Sequence, residues 1–131
     1  MPPIAAAIIV ANGRVLLVRR AVSEGSLSWQ FPAGALEDED AESPENAAVR
    51  ETREEVGLHV SPGEILGMRV HPNTGRTIIY VVCTPEPDEQ PRLLDGEELA
   101  EMTWARLADL DSLIPVGIFP PVRQYLASVL H

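Results

Sequence analysis

Ile4 to Ala11 is an almost unbroken apolar run, Asn12-Gly13 follows it, and Arg14 to Arg20 returns through Val15-Leu16-Leu17-Val18. Asn-Gly between two such runs predicts a hairpin closed by a two-residue type I′ turn. A strand that is apolar without alternation predicts cover on both faces of its sheet. Further on, Ser43 can cap a helix, Pro44 suits its first turn and Gly57 its C-terminal stop. Within that helix Val49, Thr52 and Val56 fall on a face suited to a core. Strands are predicted at about Ile65 to Val70 and Thr77 to Thr84, joined by the Asn73-Thr74-Gly75 turn, and a short one near Met102 to Ala105. Pro85 to Pro91, rich in proline and acid, reads as an exposed loop. A turn of helix follows around Leu107 to Leu110. Pro120-Pro121 starts a last helix to Leu130, with Val122, Leu126 and Val129 in one core-facing stripe. Strands filled on both faces plus two amphipathic helices predict an α/β protein, a mixed β-sheet sandwiched between helices in three layers, α/β/α.

Length and charge narrow the function. The 131 residues fit a single domain over 1–131, and twenty acidic against ten basic residues give a net charge of −10 and a pI near 4.6. That balance excludes binding a nucleic-acid backbone by counterion release, and leaves bound metal as the means of attracting a polyphosphate. The single cysteine, Cys83, lies in the apolar run Ile78 to Val82 and reads as a buried thiol, which rules out an intramolecular disulfide. No apolar run approaches a membrane span, and no basic segment precedes the first apolar stretch, so a cytoplasmic protein is expected.

The chemistry is concentrated in Arg50-Glu51-Thr52-Arg53-Glu54-Glu55-Val56-Gly57. At 100° per residue, Glu51, Glu54 and Glu55 share an arc of roughly 100° on the helix. Like charges so placed cost a helix roughly 0.2–0.5 kcal/mol per pair, so a compensating partner is called for. A hard divalent cation, which prefers oxygen ligands and binds through a few carboxylates together with substrate phosphates, is the natural one. The plain alternative is a solvated acidic face in which Arg50 and Glu54 form an ordinary i, i+4 pair.

The surrounding residues decide between these. Residues 34 to 58 resemble the Nudix box, G-x5-E-x7-R-E-U-x-E-E-x-G-U with U aliphatic: Arg50, Glu51, Glu54, Glu55, Gly57 and Leu58 match, and Glu42 stands the correct distance before Arg50. The chain departs from the pattern twice. Seven residues separate Gly34 from Glu42, a two-residue insertion, and counting forward from Gly34 would place Asp40 in the loop carboxylate position instead. Thr52 replaces the aliphatic residue, a change that costs packing rather than chemistry. Leu27 to Gly34 and Glu97 to Trp104 also look like family segments, so the resemblance covers most of the chain.

The resemblance implies the same α/β/α fold and a Mg²⁺-dependent hydrolase, with Mn²⁺ as the alternative ion, that adds water to a phosphorus of a pyrophosphate link. It implies Glu51, Glu54 and Glu55 as metal ligands, the backbone carbonyl of Ala33 as a further one, and Arg50 as the residue that positions a carboxylate. Similarity to the mutator-type nucleoside triphosphate pyrophosphohydrolases adds Glu98 as a distal carboxylate for metal or water activation, with Glu97 and Glu101 as rivals. The general base stays open between Glu51 and Glu98. The same likeness gives Arg20 as a phosphate contact, while Arg76, beside a turn, is a second phosphate candidate. Arg19 should face the opposite side of the sheet. His59 and His71 lack metal-ligand spacing and read as structural or exposed.

For substrate, the reading is a nucleotide-type small molecule, with nucleoside triphosphate cleaved to monophosphate and pyrophosphate. ADP-ribose or a nucleotide sugar is the alternative, and a non-catalytic regulatory module of the same fold is a third reading. Arg123 stands where mutator-type enzymes place a purine-reading asparagine, so an oxidised-guanine specificity does not carry over. Trp29, Phe31 and Phe119 are candidates to stack on a base or to fill the core. A homodimer is consistent with the family likeness.

Overall fold

The first hairpin forms as expected: Asn12 and Gly13 both take positive φ, 52° and 76°, the type I′ signature, in a computed structural model of the protein. The structure describes residues 1–20, 29–37, 41–72, 74–96 and 98–131. Its strands β1 (Ile4–Ala11) and β2 (Arg14–Arg20) are antiparallel. Two short strands, β3 (Trp29–Gln30) and β4 (Ala33–Ala35), precede the helix α1 (Pro44–Val56). Then come β5 (Val60–Val70), β6 (Thr77–Pro85), β7 (Leu99–Ala105), a 3₁₀ turn at Leu107–Asp109, α2 (Leu110–Leu113) and α3 (Pro120–Val129).

Strand β1 is the hub. It runs parallel to β6, antiparallel to β4 along its first residues, and antiparallel to β2 at its end. Strands β3 and β7 pair with β2, and β5 forms the edge beyond β6. The sheet is therefore mixed.

Alternation along β1 divides the interior in two. Ala5, Ala7 and Ile9 join Ala47, Ala48 and Val56 of α1, whereas Ala6 and Ile8 join Leu110 of α2 and Val122 and Leu126 of α3. Facing alanines on β1 and α1 let helix and sheet approach closely. This is the sandwich expected from apolar positions on both strand faces. Cys83 is buried in the first core, where loss of hydration pushes its thiol well above the ordinary range, as expected for an inert structural cysteine. Among the described residues no helix is long and apolar enough to cross a membrane.

Helix α1 has the expected caps. Ser43 Oγ accepts from Asn46 N at 3.1 Å, and Gly57, in the left-handed region at φ 71°, donates its N–H to Arg53 O at 3.0 Å. Two more of its last carbonyls are satisfied from a distance, since Leu94 N donates to Glu55 O and Arg92 N to Val56 O, both at 2.9 Å. Residues 92–94 therefore run along the helix end and bring Asp95 toward α1.

Strand boundaries moved where local signals were misleading. Strand β5 starts at Val60, five residues before the expected Ile65, although it contains Pro62 and Gly63. An edge strand tolerates both, and the register shifts between Pro62 and Gly67 absorb them. Strand β7 likewise begins at Leu99, where the expected start was Met102. The expected turn between β5 and β6 is closed by His71 N donating to Arg76 O at 2.8 Å; Asn73 lies outside the described residues.

Thr52 is fully buried, and its Oγ1 has no hydrogen-bond partner. An orphaned buried hydroxyl costs roughly 1–3 kcal/mol. Thr52→Val keeps the shape and removes that cost, so it is expected to stabilise the fold by about 1 kcal/mol. A rise in the urea midpoint at unchanged slope would confirm it, whereas a fall would show that the hydroxyl is satisfied.

Candidate active site

Among the described glycines, Gly34 has the least room, because the Glu51 carboxylate lies against it. A Cβ on Gly34 would coincide with the Glu51 carboxylate, so only glycine lets this side chain of α1 lie flat on β4. Arg50 fixes the same carboxylate from the other side, with Nη1 donating to Glu51 Oε1 at 2.8 Å. Its fork also grips Glu42, through Nε to Oε2 at 2.8 Å and Nη2 to Oε1 at 2.9 Å. Nη2 further reaches Ala35 O at 3.0 Å, and Nη1 reaches Glu54 Oε2 at 3.2 Å. Arg50 thereby ties the helix to the loop before it and to β4, and these carboxylates raise its pKa further.

Glu42 is the loop carboxylate that meets two nitrogens of Arg50 among the described residues. Glu42 N donates to Glu37 O at 3.2 Å and Glu37 N to Glu42 Oε1 at 3.0 Å, so the lengthened loop closes on itself and delivers Glu42 to Arg50. Its carboxyl is held below the ordinary range chiefly by that guanidinium. Asp40 lies outside the described residues.

Beside this junction opens a groove of about 980 Å³. Glu51, Glu55, Asp95, Glu98 and Arg20 line it, together with Ala33 and Gly34. Glu55 is only 5% exposed, and its Oε2 is buried without a hydrogen-bond partner. Burial first, then the charge of Glu51, with smaller contributions from Asp95 and Glu98, pushes its pKa up to about 8, although Arg20 opposes the shift. Glu51 is pushed up as well, mainly by burial and against the pull of Arg50. Arg20 Nη1 donates to Glu98 Oε2 at 3.2 Å.

The expected residues thus divide. Glu51, Glu55, Glu98, Ala33, Arg20 and Arg76 all border the groove. Glu54 is half exposed and engaged with Arg50, so the i, i+4 pair exists within the cluster. In these side-chain positions no three acid, His or Cys groups among the described residues close on one point at coordination distance. Glu101 accepts from Arg19 Nη1 at 2.7 Å, and neither residue lines the groove; Glu97 lies outside the described residues. Arg76 donates through Nη2 to Pro2 O at 2.8 Å, and its buried Nε has no partner. His71 braces the turn through its ring, and His59 pairs with Glu89 on the surface.

Arg123 donates to Asp111 Oδ1 at 2.8 Å and does not line the groove, which is bordered by the loop before α3, including Gly117 and Phe119. Asp95 had no motif to announce it; its place comes from the backbone bonds that lay residues 92–94 along α1. The contact between Arg69 and Tyr80 was likewise invisible, since strand alternation gives a face but not the side chain met on the neighbouring strand.

The donor set suits a hard divalent cation. It consists of oxygens alone, one of them a buried carboxylate oxygen without a donor, and a dication would offset the repulsion that raises Glu55 and Glu51.

The NUDIX domain family matches residues 1–125. The chain belongs to the NUDIX family. A MutT-like protein of Streptomyces ambofaciens is 36% identical over 141 aligned positions, covering 93% of this chain and 81% of that protein. A CTP pyrophosphohydrolase of Escherichia coli K12 is 38% identical over 105 positions, covering 79% and 75% respectively. The solution structure of the E. coli ORF135 protein superposes with a TM-score of 0.71 at 26% identity, covering 95% of this chain and 88% of that one. This NUDIX domain is accordingly a hydrolase, and the reading as a non-catalytic module gives way.

Two outcomes follow from the site. Gly34→Ala displaces the Glu51 carboxylate, and a misplacement of this kind is expected to cost about 10²-fold in kcat/KM at little cost in melting temperature. Full activity in that variant would show that Glu51 need not lie on β4. The second concerns pH. Folded Glu55 holds its proton up to about pH 8, against an ordinary value of 4.5, so between these values the folded state binds more protons than the unfolded chain. Stability in chelator therefore falls as pH rises through that window. Glu55→Gln should flatten the decline in calorimetric Tm; an unchanged slope would reject the assignment.

Proposed function

We propose that this NUDIX hydrolase cleaves nucleoside triphosphates to the monophosphate and pyrophosphate, using Mg²⁺ held by Glu51 and Glu55. The observation that carries the reading is the lining of the groove, which combines the carboxylates and Arg20 with the aromatic side chains of Phe31, Tyr80 and Phe119. Such a site suits a molecule with a polyanionic tail and a flat apolar head. The likeness to a CTP pyrophosphohydrolase over most of both chains supports the same class of substrate.

Glu54, Glu98 and the carbonyl of Ala33 are further candidates to hold the cation. When bound, it neutralises phosphate oxygens and acidifies a water molecule. The protein's own groups orient the reactants. Arg50 and Gly34 hold Glu51 in one position, Arg20 supplies positive charge for a phosphate and steadies Glu98, and Arg76 offers a second cation. Water adds to phosphorus as the anhydride oxygen leaves with its bonding electrons on pyrophosphate. Glu51 or Glu98 takes the water's proton. A cytoplasmic site of action accords with this class of substrate.

The test is a screen of nucleoside triphosphates, ADP-ribose and nucleotide sugars with Mg²⁺ or Mn²⁺, with products separated by chromatography. Pyrophosphate release is expected; two monophosphate products would favour the ADP-ribose or nucleotide-sugar alternative. Glu55→Gln should lose at least ~100-fold in rate, the scale of one major charge-stabilising group. Because the carboxyl must shed its proton to bind metal, Mg²⁺ should raise Tm more at pH 8 than at pH 6, with Glu55 titrating near 8. Wild-type turnover in Glu55→Gln, or a pH-independent Mg²⁺ effect, contradicts the metal assignment.

A further inference from the structure

Arg69 is placed unlike the other arginines of the groove. It stands on edge strand β5, and its register partner is Ile78, whose partner on β1 is Ile4, which in turn faces Ala35 of β4. Three strand spacings of ~4.8 Å separate it from the strand on which Glu51 lies, on the order of 14 Å. That span corresponds to a nucleoside with its first phosphate rather than to one phosphate group. Arg69 therefore lies at the end of the groove away from the carboxylates.

Its guanidinium is held by aromatic groups. Nε donates to Tyr80 Oη at 3.1 Å, and the guanidinium carbon lies 5.8 Å from the centroid of Phe119, above the ring. Phe119 stacks on Tyr80 with centroids 5.3 Å apart and an interplanar angle of 25°. Gly67 makes room for that stack, since a Cβ there would meet the Phe119 ring at 3.0 Å. Among the described residues no carboxylate pairs with Arg69. Nε is thus committed, the plane is fixed, and the two Nη groups keep their donors on a groove wall where Ile118 and Phe119 offer no side-chain hydrogen bond.

We propose that Arg69, fixed by Tyr80 and Phe119, reads the nucleobase, and that it selects bases presenting two adjacent acceptors: O2 and N3 of cytosine, or O6 and N7 of guanine. An arginine fork has donors only. Adenine sets its N6 amino donor beside N1 and N7, and uracil sets an N3–H donor between its carbonyls, so neither offers adjacent acceptors. The inference rests on the groove being a nucleotide site.

The experiment is kcat/KM for CTP, GTP, ATP and UTP with the wild type and with Arg69→Met, which keeps an unbranched stem over Phe119. CTP should exceed UTP, or GTP exceed ATP, by about tenfold or more, within the range of one bidentate pair. In Arg69→Met that ratio should shrink toward one, mainly through KM, and Tyr80→Phe, which releases Nε, should fall between. Should Arg69→Met melt early, Arg69→Lys, which keeps the charge and loses the planar fork, is read for the same ratio. Equal losses on all four substrates would make Arg69 a contact to phosphate or sugar and overturn the proposal, as would a wild type indifferent to the acceptor pair. If no triphosphate is cleaved, the triphosphate reading fails, and the ratio is taken instead from CDP- and GDP-linked against UDP- and ADP-linked sugars. If those too are inert, calorimetric binding of CMP and GMP against UMP and AMP supplies it.

Discussion

The guanidinium of Arg50 is the constraint on which the site depends. Five donors on a planar fork meet the carboxylates of Glu42, Glu51 and Glu54 and the carbonyl of Ala35, so one side chain joins helix, loop and sheet. Without it, three acids gathered near one helix would repel one another, and Glu42 would lose its link to the helix. Lysine offers neither the fork nor the reach to four acceptors at once. The arginine earns its place by geometry as much as by charge.

Glu55 shows the opposite policy within the same cluster. Glu51 is compensated by a cation of the chain itself, whereas Glu55 is buried with an oxygen left over. A fold normally avoids such a residue, because hydration is surrendered and nothing replaces it. Its position beside the groove is what the proposed cation site would require. Protein-internal compensation on one side and deferred compensation on the other give the cluster both a fixed shape and a capacity to bind.

Much of this could be read from the residues. The Asn12-Gly13 hairpin, the Ser43 and Gly57 caps and the apolar filling of β1 each carry a local signal, and the spacing from Glu42 to Leu58 carries the family. Counting back from Arg50 leads to Glu42, and Glu42 is the residue whose carboxylate the Arg50 fork grips. The extent of β5 was hidden by Pro62 and Gly63, which mark a break only if the strand is internal. That Arg123 meets Asp111 was not legible, because sequence distance along α3 does not reveal a side chain's partner. Asp95 and Arg69 owe their roles to neighbours remote in sequence, and no local pattern records those.

The walls of the groove come from strands β1 to β6, α1, the segment before β7, and the loop ahead of α3, and β1 finds its parallel partner in β6 more than seventy residues later. Pairings so distant form late, because chain closure must precede their reward. A chain emerging from the ribosome holds its glutamates long before it holds a cleft. The enzyme is consequently inert until strands remote in sequence have found one another.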